Sequence, residues 1–183
     1  MEIASVMSLV DDSKVECLNE DAKHPFRDVL GKKKVSSGAA GPPYVSSSAD
    51  DPQLLLRLGF TRPVRLSSLF IKAPAGSVEA GEAPLNIKLF TNDLSMGFSD
   101  AEAATPVQEI RLEEEKLEIG CTVPLRFVKF SNVSSLVLYV ESSNGDGPTK
   151  IEKLDLFGVP TENMEMKEWK PVKENERLAP NDT

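Results

Sequence analysis

Residues 126–140 read RFVKFSNVSSLVLYV, two apolar runs around a short polar turn. Side chains along a strand alternate between two faces, so a run that is apolar at nearly every position needs cover on both sides. Residues 125–130 and 136–140 are therefore expected as central strands. Upstream, Leu54, Leu56, Leu58 and Phe60 alternate with Leu55, Arg57 and Gly59, the two-residue period of a strand with one deeply buried face. Pro63 should break that strand.

Further strands are expected at 66–72, at 85–91, where Ile87 and Leu89 oppose Lys88 and Phe90, at 107–112 and at 151–157. Asn92-Asp93 and NGDGP at 144–148 supply turns. EEEKLEIG at 113–120 reads as an acidic loop or one helical turn. Many short strands with turn signals between them, and no convincing amphipathic helix, make the fold all-β, a jelly-roll β-sandwich. A chain of 183 residues is one domain with tails. The expected division is an N-terminal tail at 1–10, a folded domain at 11–160 and a C-terminal tail at 161–183. VECLNEDAKHPFRDVL forms an ordered arm, and a flexible loop runs over 31–47, where Gly41, Pro42 and Pro43 forbid regular helix.

A net charge of −8 argues against nucleic acid, which needs a clustered basic surface. The basic run Lys32–Lys33–Lys34 reads as a solvated loop. MEIASVMSLVDDSK has no long apolar core, so neither a secretory signal nor a membrane span is expected, and the location should be cytoplasmic, extending to the nucleus. The two cysteines, Cys17 and Cys121, lie in no metal or C-x-x-C spacing.

Catalytic chemistry finds little support. A hydrolase triad needs a base, and the single histidine, His24, stands beside Pro25 in the arm. Three Cys and His at 17, 24 and 121 do not make a zinc site. Asp11/Asp12, Asp50/Asp51 and Glu113/Glu114/Glu115 offer carboxylates for a glycosidase, but acidic loops account for them. Asn144, Asp146 and Gly147 lack the remaining ligands of a calcium loop, and no phosphate-cradling glycine loop is present. The expectation is no enzyme, no cofactor and no metal.

Set in order, VECLN (15–19), SADDPQLLL (48–56), PLNIKLFTN (84–92), MGFSDAE (96–102), PVQ (106–108), PLRFVKFSNVSSL (124–136), TKIEKLDLFG (149–158) and NM (163–164) resemble the PITH domain, the proteasome-interacting thioredoxin module. The resemblance implies a jelly roll similar to galactose-binding-like domains and association with the 26S proteasome. No thioredoxin domain or C-x-x-C is present in these residues, so the redox activity of longer relatives is not carried over. Pro52 and Ala49 depart from an otherwise acidic motif, which puts that loop's charge in doubt.

Within the motifs, Leu54, Leu56, Ile87, Leu89, Phe90, Phe98, Phe127, Val128, Phe130, Val133, Leu136 and Leu138 are expected in the core. The polar members Ser48, Asp51, Gln53, Asn92, Lys129, Asn132 and Thr149 are the candidates for partner contact, each with a turn-capping alternative. Trp169, the only tryptophan, either packs back on the sandwich or docks a partner. The favoured function is a non-catalytic, monomeric adaptor on the proteasome's regulatory particle. The alternatives are a lectin-like module holding a sugar or small polar ligand at sandwich-end loops and, last, a thiol reductant using Cys17 or Cys121.

Overall fold

The computed structural model describes residues 2–30 and 42–161. Ten strands and three short α-helices follow in the order β1 (Ala4–Ser5), β2 (Val10–Leu18), α1 (Phe26–Val29), β3 (Val45–Ser46), β4 (Leu54–Lys72), β5 (Pro84–Thr91), α2 (Phe98–Ala103), β6 (Gln108–Arg111), α3 (Glu114–Leu117), β7 (Cys121–Pro124), β8 (Val133–Ser143), β9 (Lys150–Ile151) and β10 (Lys153–Pro160). All pairings are antiparallel. The expected all-β jelly roll is what forms.

The organising element is β4, 19 residues long. Its first half lies between β2 and β8, and β5 and β6 continue that layer. Its second half lies between β10 and β7, with β1 beyond β10. The strand therefore runs continuously through Pro63, contrary to the expected break. The register slips between Gly59 and Val64, so Pro63 falls at the crossing between layers, where a missing N–H interrupts no ladder. Its carbonyl still accepts the Thr161 N–H at 3.0 Å.

Leu54, Leu56 and Leu58 from the first half join Leu66, Leu69 and Ile71 from the second in one core, with Leu136, Leu138, Leu154 and Leu156 facing them. Each fully buried side chain of this kind contributes about 1.5–3 kcal/mol. The first layer is also covered on its outer face, where Leu55, Val137 and Tyr139 pack with Phe90, Met96 and Ala101. This second cluster is why residues 136–140 are apolar at every position.

The other apolar run departs from expectation. Residues 126–130 are a turn, not a strand; Phe130 is fully buried, but Phe127 is 54% exposed and Val128 83%. One anchor suffices to bury a turn, and the alternation that would have buried the rest is absent. The expected N-terminal tail and the loop before β4 also differ from expectation. Within the first ten residues β1 pairs with β10, and Val6 and Val10 are buried. Val45 and Ser46, expected in the flexible loop, pair with Ile151 and Lys150. Lys32, Lys33 and Lys34 lie outside the described residues.

Candidate functional site

Four of the expected contact residues converge at the entry to β4. Asn19, in the left-handed backbone region at φ 70°, donates from Nδ2 to the carbonyls of Gln53 (2.7 Å) and Asp51 (3.4 Å) and accepts at Oδ1 from Ser48 Oγ (2.9 Å). Asp51 Oδ1 accepts the Gln53 N–H, and Gln53 Nε2 donates to Tyr139 Oη at 2.8 Å. Burial, with the charge of Glu102 second, pushes the Tyr139 hydroxyl up to about 12. Thr149 donates from Oγ1 to Pro52 O at 2.6 Å and from N–H to Ser47 Oγ. Ser48, Asp51, Gln53 and Thr149 therefore spend their hydrogen bonds holding strand ends together. Asn19, the hub, was missed: a lone Asn after a strand carries no chemical motif, and only its left-handed backbone marks it.

A second lock sits at the opposite end of that layer. Asn92, at φ 63°, accepts at Oδ1 from the Ser134 N–H and hydroxyl, both at 2.8 Å, and donates from Nδ2 to Asn132 O at 3.2 Å. Asn92 and Asn132 fix the route into β8. Lys129 and Asn132 are both exposed; among the described residues Asn132 takes part through its carbonyl and Lys129 through its N–H, to Arg126 O. Trp169 lies outside the described residues.

The turn carrying Lys129 is the most conspicuous feature of the surface. Phe130 anchors it, donating to Arg126 O and accepting the Leu66 N–H at 2.9 Å. Phe127 and Val128 are thereby turned outward between exposed Arg126 and Lys129, and the Arg65 guanidinium lies 4.6 Å from the Phe127 ring centroid. Register extends the apolar surface across the second layer, since Val159 pairs with Arg65 and Ala4 with Gly158, bringing exposed Ile3 alongside Val159. Apolar side chains grouped on a surface mark a place of contact.

The ionisable groups offer less. Cys17 is half-buried, and burial first, then the neighbouring Glu20, push its thiol well above the ordinary range. Labelling of Cys17 by a thiol reagent at neutral pH should be far slower in the folded protein than in urea; equal rates would contradict this burial. The folded thiol keeps its proton above the ordinary 9.0, so the unfolded chain releases it first. Stability contributed here is intact below that pH and declines as pH rises past it. His24 stacks on Tyr44 at 4.2 Å, with Lys150 above the Tyr44 ring. A cleft of 380 Å³ between β6 and β7, lined by Leu112, Lys116, Cys121 and Val123 among others, holds no aromatic ring.

Comparison with known proteins decides the family: the PITH domain model matches residues 2–176. The chain belongs to the PITH domain family. Thioredoxin-like protein 1 of Schizosaccharomyces pombe is 34% identical over 160 residues, 86% of this chain and 52% of that protein, so this PITH chain spans about half of that relative's length. PITH domain-containing protein CG6153 of Drosophila melanogaster is 32% identical over 165 residues, covering 86% of this chain and 71% of that protein. Among solved structures, a family 32 carbohydrate-binding module from C. perfringens NanJ in complex with galactose superposes with a TM-score of 0.60 at 13% identity, covering 85% of this chain and 99% of the module. CBM32-3 from a family 31 glycoside hydrolase of Clostridium perfringens gives 0.55 at 16% identity, covering 82% and 96%. At such identities the likeness is one of fold: this PITH domain is a galactose-binding-like jelly roll.

Proposed function

We propose that this PITH domain is a non-catalytic protein-binding module that docks on the 26S proteasome regulatory particle through the turn at 126–129. The observation that carries the reading is the outward pair Phe127 and Val128, held over a buried Phe130 and flanked by Arg126 and Lys129. Aromatic residues and arginine are enriched at protein interfaces, and both are present here in Phe127 and Arg65. Family membership supplies the partner class, since the motifs resemble a proteasome-interacting module. A cytoplasmic and nuclear location and a monomeric free state belong to the same proposal.

The test is affinity purification with the full chain and with Phe127→Ala/Val128→Ala/Lys129→Ala. The wild type should recover regulatory-particle subunits and the triple variant should lose them by about tenfold or more, the equivalent of 1.4 kcal/mol. Equal recovery would remove the turn from the interface. A glycan-array signal without proteasome subunits would instead favour a lectin-like module, the reading suggested by fold alone.

A further inference from the structure

We infer that the cleft between β6 and β7 receives an extended, lysine- or arginine-rich peptide strand of another protein, which pairs with the free edge of β7 at Thr122 and seats aliphatic side chains on Leu112 and Val123. The two strands follow one another in the chain, joined by α3, yet they belong to different layers. β6 closes the first layer and pairs with β5, and β7 closes the second and pairs with β4. Each therefore keeps one edge unpaired, and an unpaired edge is a template for a further strand.

The direction of the free groups follows from the register. In an antiparallel ladder the residues that exchange hydrogen bonds alternate with those that face away. Leu125 donates its N–H to Ser67 O at 2.9 Å, so Val123 and Cys121, opposite Leu69 and Ile71, are the residues bonded to β4. Thr122 and Pro124 turn their backbone groups outward. Pro124 has no N–H to offer there, the usual place for proline in an edge strand. Gln108 of β6 confirms the direction: its Nε2 donates to Pro124 O at 3.1 Å and its Oε1 accepts the Arg126 N–H at 2.9 Å. One side-chain amide thus makes, at the end of β7, the two bonds that a neighbouring strand's peptide unit would make. Past Gln108 the edge is open at Thr122, whose side chain is also exposed.

Beneath that edge lies the cleft, 380 Å³ in volume. Its floor is apolar because the two layers part here: Ile110, Leu112 and Cys121 are core residues, and Val123 packs partly buried against them. A strand laid along β7 points alternate side chains to one face, so every second residue of the peptide enters the cleft. With no ring to stack on, the floor suits valine, isoleucine or leucine.

Charge selects the occupant. An adjoining hollow of 440 Å³ shares Arg111, Leu112 and Glu113 with the cleft and adds Glu114 and Glu115. Over residues 109–118 five glutamates outnumber Arg111 and Lys116. Lys116 is committed to Glu113 at 2.8 Å, and Glu118 Oε1 accepts the Gly76 N–H. Glu114 and Glu115 are exposed and hold no ion pair among the described residues. A second copy of this chain would set the same glutamates against one another, whereas lysine or arginine between the aliphatic residues of a foreign strand would meet them. The site is separate from the turn at 126–129 and uses none of its side chains.

The probe is a fluorescein-labelled peptide of alternating lysine and valine, about seven residues long, enough to overrun the 4 residues of β7. Titrated into the full-length protein, it should bind saturably with a dissociation constant below about 1 mM, weaken as salt is raised, and slow hydrogen exchange at the Thr122 amide. Peptides of alternating glutamate and valine, or of lysine and proline, should bind at least about tenfold more weakly, the first for its charge and the second for want of N–H groups. Thr122→Pro, which removes the outward N–H and leaves the ladder to β4 intact, should cost about tenfold in affinity with the melting temperature kept. Glu114→Lys/Glu115→Lys, on exposed positions, should weaken the lysine–valine peptide and strengthen the glutamate–valine one; this pair decides alone if the proline variant melts early. No binding at about 1 mM, equal binding of the lysine–proline peptide, or unchanged affinity in either variant would overturn the inference. So would Thr122 protection that grows with protein concentration in the absence of peptide, which would assign the edge to a second copy. The readout involves no proteasome, and Phe127→Ala/Val128→Ala/Lys129→Ala should bind the peptide as the wild type does, so failure here leaves the docking turn standing.

Discussion

Phe130→Ala should lower the free energy of unfolding by about 3–5 kcal/mol, the cost of deleting a fully buried aromatic ring that its surroundings cannot collapse to replace. Domains of this kind are stable by only about 5–15 kcal/mol, so the loss is a large share. The ring sits where β7 hands the chain to β8, and its carbonyl accepts the Leu66 N–H beside the layer crossing. Removing it should therefore also free the turn that presents Phe127 and Val128. Urea denaturation gives the first effect and proteasome recovery the second. A shift in stability below about 1 kcal/mol, the size typical of an average substitution, would mean that Phe130 is not the anchor described.

Gly158→Ala should cost about 3 kcal/mol, at the upper end of what overpacking usually exacts. The residue lies in β10 at the irregularity where Phe157 pairs with Ser68 but Gly158 pairs with Leu66. A Cβ there would stand 1.9 Å from the Arg65 carbonyl oxygen and 2.9 Å from its carbon. Backbone, unlike the end of a flexible side chain, cannot swing aside, so β4 and β10 would have to separate locally. Thermal unfolding followed by circular dichroism measures the result. A melting temperature within a degree or two of wild type would show that the two strands can part without penalty.

The period-two pattern of Leu54, Leu56, Leu58 and Phe60 made β4 readable, because one buried face leaves a regular trace. The two-sided burial of 136–140 was readable for the same reason, and the cover that explains it, Phe90 and Met96, has formed. Pro63 misled because proline's rule concerns a hydrogen bond, and at a crossing between layers there is none to lose. The 126–130 run misled because apolar composition does not say which way a side chain faces; only Phe130 points in. The polar candidates showed the converse limit. Ser48, Asp51, Gln53 and Thr149 stood among the polar candidates for partner contact, but their geometry around Asn19 is that of a clasp, and polarity alone does not separate a clasp from a binding surface. Lys129 and Asn132 are the members whose side chains the fold leaves exposed.

Because one uninterrupted strand serves both layers, a displacement of Leu56 is carried along eight residues of the same backbone to Val64, where the second layer begins. A force or ligand applied at that corner therefore bears on strands of both layers, since β8 and β10 both pair with β4 at Val64.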